Sequence, residues 1–350
     1  MTTLNPPYSN RGVQSNEECE KPLVSMIDYL RVSFKTHNVD LILEKVLHLK
    51  KEYMEHKESG FYGYIGTYQL DNIKVFYSHE FDVRGTLIEL SGTGCRQFET
   101  FLKARKITWF DFLEDCKENG GKFPRLDISI DDKKTYFEIP MLFDKIRNGE
   151  AISRFKKIDY NGSLSVETGE QGGTTLYFGS KKHSEVYFCF YQKNYEQAQK
   201  YNKPVEEFGD WNRYELRFKN DRANAVVMEL ISSESMLPVA KGVIKNYLRF
   251  VEKDESVKSN RSVWKTSHFW EVFLGDVERL KIFTKPQEDF YQKSRNWYMN
   301  QAARTRKMIK LVEDTKGISD LEDFEEELEL NEKQEHMMLV YLAQPEEMIV

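Results

Sequence analysis

The chain has 350 residues, 40% hydrophobic and 13% aromatic, with a formal net charge of −6, enough apolar material for one elaborate core or two modest ones. No run of about 18 uncharged apolar residues exists, and the opening "MTTLNPPYSNRGVQSNEECE" has no apolar stretch of secretory type, so neither a membrane span nor a membrane partner is expected and the cytoplasm is the expected compartment. Cys19, Cys95, Cys116 and Cys189 form no C-x-x-C pair and the seven histidines form no H-x-H or H-E-x-x-H pattern, which speaks against a disulfide framework, a zinc knuckle and a histidine-built metal site.

In chain order, residues 1–22 lack periodicity and read as a mobile arm. "MIDYLRVSF" (26–34) has strand composition, and "VDLILEKVLHLKKEYMEH" (39–56) has the period of an amphipathic helix, with Asn38 as its N-cap. Strands are expected at "YGYIGTYQL", "IKVFYSH" and "TLIELSG", then helices at "CRQFETFLKAR" and "WFDFLEDCKEN". After a Gly-Gly break the order recurs: strand "RLDISID" (125–131), helix "PMLFDKIRNG", strands "TTLYFGS", "VYFCFYQK" and "RYELRFK", helix "NAVVMELIS". The expected fold is therefore α+β: two tandem antiparallel-sheet units, 23–120 and 121–236, each with helices on one face.

A helical region follows at 237–312. It includes "VAKGVIKNYLRFVEK", "SHFWEVFLGDVERL" and a long helix from Gln287 to about Val312. That last helix interleaves Lys293, Arg295, Arg304, Arg306 and Lys307 with Tyr291, Trp297 and Tyr298, a mixture that suits phosphates and bases as well as it suits packing on the body. From Glu313 to Val350, thirteen acidic residues face only Lys316 and Lys333, leaving 49 basic and 44 acidic side chains before them. The acidity of the chain thus belongs to a helical tail (313–350), and the body is mildly basic. Such a tail is either a solvated helix or a segment that docks a partner or masks the basic body in competition with phosphate.

Strand alternation divides the second unit's sheet into two faces. Leu126, Ile128, Ile130, Val186, Phe188, Phe190, Tyr214, Leu216 and Phe218 form the inward set. The outward set gathers Arg125, Asp127, Ser129 and Asp131 with Tyr187, Cys189, Tyr191 and Lys193, and with Arg213, Glu215, Arg217 and Lys219. Asp and Glu are poor strand formers, yet Asp127 and Glu215 sit in mid-strand between apolar neighbours. Their like charges need a cation between them. Arg125, Arg213 or Lys193 could be that cation, or a divalent Mg²⁺ or Mn²⁺ could, since hard ions favour carboxylate oxygen. A tyrosine beside such an ion can act as the nucleophile toward a phosphodiester. Lys193 could assist Tyr191 or simply end the strand. "SGTGCR" and "GEQGGTTLYFGS" are not phosphate-binding loops, and Cys95 has no histidine near it in sequence.

"PRLDISIDD", "GGTTLYFGSKKHSEVYFCFYQKNYEQ" and "WNRYELRFKNDRA", in that order, resemble the replication initiation factor family: the trans-acting initiators of rolling-circle plasmids and the related relaxases of conjugative transposons. The likeness runs over about residues 24–250. It implies a site-specific single-strand DNA endonuclease and transferase whose tyrosine becomes joined to a 5′ phosphate. By position that tyrosine is Tyr191, with Lys193 beside it; Tyr195 is the competing choice should the strand stop early. The resemblance also implies a divalent metal (Mg or Mn) on Asp127 and Glu215, with Asp131 as a further ligand. DNA contacts would come from Arg125, Tyr187, Arg213, Arg217, Arg304 and Arg306. Residues 121–236 would be the catalytic unit and 237–312 the DNA-recognition region. Implied partners are origin DNA, as a single strand or an extruded hairpin with flanking duplex, and a host helicase, with a homodimer left open. The rival expectation is a non-catalytic origin or operator DNA-binding regulator using the same face.

Overall fold

The computed structural model describes residues 23–348 except 165, 168, 170, 255, 257–259 and 276–289. The expected mobile arm, the end of "SHFWEVFLGDVERL" and the start of the helix at Gln287 lie outside the described residues. The chain divides into two compact units, one holding residues 33–121 and 290–348 and the other residues 23–32 and 122–275. Both are α+β with antiparallel sheets, the class expected.

β1 (Leu23–Phe34) lies in the second unit up to Val32. The first unit continues with α1 (Val39–Leu41), whose N-cap is Asn38: its side chain accepts from the Leu41 amide at 3.0 Å. The expected helix over 39–56 stops early. The backbone widens into a π turn at Ile42–Leu47 and breaks at His48, which adopts a left-handed conformation (φ 52°). Residues Glu55–Lys57 then form β2 and pair with β3 (Gly66–Leu70). Ladder pairing at the sheet edge outweighs the helical period there, because it satisfies the backbone that the π turn has already pulled out of register. β4 (Ile73–Tyr77) and β5 (Thr86–Ser91) complete the order β2-β3-β4-β5. α2 (Gly92–Ala104) and α3 (Trp109–Glu118) follow, and Phe98 meets Phe112 at 4.6 Å between ring centres. A capping box fixes the start of α3: Thr108 accepts from the Asp111 amide, and Asp111 accepts from the Thr108 amide at 2.7 Å.

In the second unit come β6 (Lys122–Asp132), α4 (Ile139–Arg147), β7 (Ala151–Ser153), β8 (Ile158–Leu164), β9 (Gln171–Phe178), β10 (Val186–Gln192), α5 (Lys193–Tyr201), β11 (Asn212–Lys219), α6 (Asn220–Ser233), α7 (Met236–Tyr247), β12 (Leu248–Phe250) and α8 (His268–Gly275). Its sheet order is β1-β6-β11-β10-β9-β8, while β7 and β12 make a separate small pair. The residues expected to face inward do so: Ile128, Phe188, Phe190, Tyr214 and Leu216 are fully buried. Tyr214 stacks edge-on with Phe190 at 5.0 Å and with Phe273 of α8 at 5.1 Å. This apolar layer holds the strands in one register, and the register fixes what lies on the opposite face.

β8 was not expected from sequence. Its residues "IDYNGSL" are nearly all exposed and rich in turn formers, so it is a strand because β9 offers a partner. The helix expected through "VAKGVIKNYLRFVEK" ends at Tyr247, after which Leu248–Phe250 pairs with β7.

The remaining helices belong to the first unit: α9 (Phe290–Trp297), α10 (Ala303–Lys316), α11 (Asp320–Glu327), α12 (Glu332–Leu342) and α13 (Pro345–Met348). A π turn at Tyr298–Ala302 joins α9 to α10, and the run passes Val312 to end at Lys316, where Gly317 takes the left-handed cap (φ 69°). The helices between 237 and 316 therefore divide between the two units. The acidic α11 pairs with the basic α10 through Arg306 to Glu325 (2.6 Å) and Lys310 to Glu322 (2.5 Å).

Candidate active site

Three strands of the second unit bring the outward set together in ranks. β10 and β11 pair Tyr187 with Arg217, Cys189 with Glu215 and Tyr191 with Arg213. β11 and β6 extend those ranks to Asp127, Ser129 and Asp131 respectively. Tyr191, Glu215 and Asp127, far apart in the chain, thus share one patch of sheet.

Their side chains form a dense network. The Tyr191 hydroxyl donates to Glu215 Oε1 at 2.8 Å. Arg217 donates to the other oxygen, Glu215 Oε2, at 2.6 Å, and its Nε stands 3.6 Å from Asp127 Oδ2. Arg125 grips both oxygens of Asp127, at 2.9 and 2.6 Å, while its guanidinium lies 3.9 Å from the centre of the Tyr29 ring. Arg213 holds both oxygens of Asp131, at 2.6 and 2.8 Å, and Asp28 is 3.8 Å away. Such two-point pairs are the strong, oriented kind.

Lys193, expected on the strand either beside Tyr191 or as its end, lies off it. β10 stops at Gln192, and Lys193 is the first residue of α5, its amide donating to the Trp211 carbonyl at 2.7 Å. From there its Nζ reaches Glu196 at 2.8 Å and the Tyr191 oxygen at 3.4 Å. Tyr195 lies on the first turn of the same helix, off the strand.

Burial governs the ionisation of these groups. Desolvation and the Glu215 charge push the Tyr191 phenol well above its usual range, so it is protonated at neutral pH. Burial alone would raise Glu215, but Arg217 and the Tyr191 hydroxyl outweigh it and hold the carboxyl below its ordinary value. Asp131 is likewise lowered, its burial overcome by Arg213. Asp127 is raised, because desolvation outweighs Arg125. Burial lowers Lys193, with Arg213 adding to it. The Cys189 thiol is pushed up to about 12 by burial and by Glu215, which leaves it inert.

As a cation site the three acids do not fit in this arrangement. All six oxygens of Asp127, Glu215 and Asp131 already accept from protein donors at 2.6–2.9 Å. Among the described residues, no group of three or more His, Cys, Asp or Glu side chains stands where it could hold a metal ion. The cations on the two mid-strand carboxylates are Arg125, as expected, on Asp127, and Arg217 on Glu215, with Arg217 Nε 3.6 Å from Asp127.

Arg304 and Arg306 lie on α10 in the other unit, Arg304 exposed and Arg306 paired with Glu325. Sequence reasoning missed Asp28 and Tyr29, although "MIDYL" has the same acid-in-mid-strand signal as "RLDIS". It also missed Asn161, Thr175 and Tyr177, which β8 and β9 place beside the ranks. No helix among the described residues is long and apolar enough to cross a membrane.

One face of this antiparallel sheet thus carries a tyrosine engaged with a carboxylate, among arginines paired with the neighbouring acids. Residues 121–328 match the family described as replication initiation factor, and residues 24–115 match the rolling circle replication initiation protein N-terminal domain; the chain belongs to the replication initiation factor family. It is 57% identical over 349 residues to a Bacillus subtilis (strain 168) protein named "Putative DNA relaxase NicK", covering 99% of this chain and 98% of that one. Its fold is similar to that of a rolling circle replication initiator protein from Geobacillus stearothermophilus, with a TM-score of 0.65 and 29% identity over 75% of this chain and 99% of that one.

Proposed function

We propose that Tyr191 is the nucleophile with which this protein nicks one DNA strand at an origin and later rejoins or transfers it. The protein is an enzyme of the relaxase and rolling-circle initiator type. The observation that carries the residue assignment is the 2.8 Å hydrogen bond from the Tyr191 phenol to Glu215, in a family whose chemistry runs through a tyrosine.

The phenol is held protonated, so it has to lose its proton as it attacks. Glu215 is ionised and already accepts that hydrogen bond, which makes it the general base. The tyrosyl oxygen forms a bond to phosphorus, the bond to the 3′ oxygen breaks, and the phenolic proton passes to Glu215. The leaving 3′ oxygen takes a proton from Lys193 or from water, and attack by a 3′ hydroxyl reverses the sequence. Lys193 and Arg217, whose side chain is about one-fifth exposed, are the cations placed to meet the phosphoryl oxygens. Arg125 and Arg213 hold carboxylates and shape the site. The assay is a denaturation-resistant adduct on a labelled single-stranded origin oligonucleotide, mapped by peptide mass spectrometry. An adduct on any residue other than Tyr191 sinks the assignment.

Glu215→Gln is expected to slow adduct formation by about 10²–10⁴-fold while DNA binding stays within a few-fold. Because the phenol is raised and the carboxyl lowered, the unsubstituted enzyme's rate should be flat with respect to both groups from about pH 6 to pH 9. A steep rise toward the free phenol's pKa of about 10 would instead mean that Tyr191 reacts as a pre-formed phenolate without a base.

The cofactor proposed on family grounds is Mg²⁺ or Mn²⁺, with Asp127 and Glu215 as the carboxylates that would take it once Arg125 releases Asp127 and Arg217 releases Glu215. Arg217→Gln should therefore enlarge the rise in melting temperature that Mn²⁺ produces in DNA-free protein. An equal or smaller rise in the variant removes Glu215 from any metal site. The enzyme is further proposed to act in the cytoplasm. A host helicase would unwind the nicked duplex, and Arg304 and Arg306 would contact the duplex flanking the nick.

A further inference from the structure

The sheet face that carries Tyr191 is chemically divided, and the division passes through the nucleophile. On the β11 and β6 side lie charges in pairs: Glu215 with Arg217, Asp127 with Arg125, Asp131 with Arg213. On the other side β9 sets Thr175 beside Tyr191 and Tyr177 beside Cys189, and β8 continues those ranks with Asn161 and Asp159. Asp159 is exposed and engaged with Lys157 at 2.7 Å, so the half nearest Tyr191 is hydroxyl, amide and aromatic.

That half opens into a cleft of about 960 Å³ that also takes in Tyr191, Glu215 and Arg217, and is lined further by Tyr195, Gln199 and Asn202 of the α5 segment and by the charged Lys181, Glu196 and Lys203. Gly173 lets strand and helix approach: a Cβ there would stand 2.7 Å from that of Tyr195. Tyr177 is half-buried, and its ring lies 6.1 Å from that of Tyr187 at an interplanar angle of 20°. Arg217 is 5.5 Å from the centre of the Tyr187 ring, so the aromatic pair leads directly into the charged site.

The uncharged donors and acceptors that β8 and β9 set around a half-exposed aromatic ring suit a nucleobase, while Lys181, Lys203 and Arg217 in the same cleft suit the phosphates that adjoin it. Bases stack on such rings whatever their sequence, and amides or hydroxyls reach their edges only when the base is unpaired. The cleft lies within the size range of small-molecule pockets. The geometry points to a nucleobase subsite: this cleft takes an unpaired base adjoining the scissile phosphate, with Tyr177 as its stacking surface and Thr175, Asn161 and Asn202 along its edge. The inference rests on the reading of Tyr191 as the nucleophile. It supplies a reason for the enzyme to act on single-stranded DNA, because a base inside a duplex cannot enter.

The test uses the full-length chain and a single-stranded oligonucleotide spanning the nick mapped in the adduct assay, with 2-aminopurine placed on either side of the scissile phosphate. Bound to Tyr191→Phe protein, one of the two positions should lose fluorescence by stacking, and adding Tyr177→Ala should restore it. In otherwise unsubstituted protein, Tyr177→Ala should raise the half-saturating concentration for adduct formation about tenfold with the maximal rate held within threefold, whereas Tyr177→Phe should leave both unchanged. Unquenched fluorescence at both positions overturns the subsite. So does quenching that survives Tyr177→Ala, or a Tyr177→Phe variant as impaired as the alanine. Absence of any Tyr191 adduct in unsubstituted protein sinks the nicking reading itself; a normal adduct indifferent to Tyr177 sinks only the subsite.

Discussion

Tyr191→Phe is expected to abolish the covalent adduct, with a fall in strand-cleavage rate of at least about 10⁴-fold, while binding of the same oligonucleotide stays within about threefold. The asymmetry follows from what the hydroxyl does. In the proposed reaction it is the atom that forms the new bond to phosphorus; the Cys189 thiol, raised to about 12 and buried, is no substitute, and Tyr195 stands off the strand on α5. Phenylalanine keeps the ring and its packing. The change does strip Glu215 Oε1 of its donor, a loss of about 1–3 kcal/mol for a buried charged acceptor, while Arg217 still holds the other oxygen at 2.6 Å. Circular dichroism should therefore change little, and melting should fall by no more than that loss implies. Residual adduct of normal yield in Tyr191→Phe would move the chemistry to another residue, and Tyr195→Phe made alongside it would show whether that residue is the next tyrosine.

The sequence made the site's floor legible because the floor is a sheet. A period of two assigns every residue of "RLDISID", "VYFCFYQK" and "RYELRFK" to a face, and the apolar choices at Ile128, Phe188 and Leu216 leave no freedom of register. What alternation could not convey was how the outward charges pair, since that depends on lateral neighbours. The strand order β6-β11-β10 places Arg217 between Glu215 and Asp127 and sets Arg213 against Asp131. The same limit hid β8, a polar edge strand defined only by its partner, and with it the cleft wall at Asn161. Helix ends were hidden for a different reason: the period over residues 39–56 is genuine, but a left-handed His48 and the pairing of β2 with β3 end the helix through backbone geometry.

The second large effect concerns stability. Arg213→Met should destabilise the second unit by about 3–5 kcal/mol, the usual result of leaving one member of a buried ion pair without its counter-charge, and lower its melting temperature on the order of 10 °C. Arg213 is 5% exposed and Asp131 7%, so solvent screens neither. In the unsubstituted protein the Asp131 carboxyl is held below its ordinary value. The stability linked to it is therefore fully present above the unfolded-state value of about 3.9 and is lost only as pH falls through the lower folded-state value. In Arg213→Met the sign reverses: burial without the guanidinium raises Asp131, so the deficit should be largest at neutral pH and shrink as the carboxyl takes up a proton on acidification. Replacing both partners, Arg213→Met with Asp131→Leu, should recover much of the loss, because no buried charge then lacks a partner. Thermal melts of the single and double variants at pH 7 and pH 5 read all three expectations. A single variant that melts like the unsubstituted protein would show that the pair is solvated, and a double variant no better than the single would place the loss in packing rather than in charge.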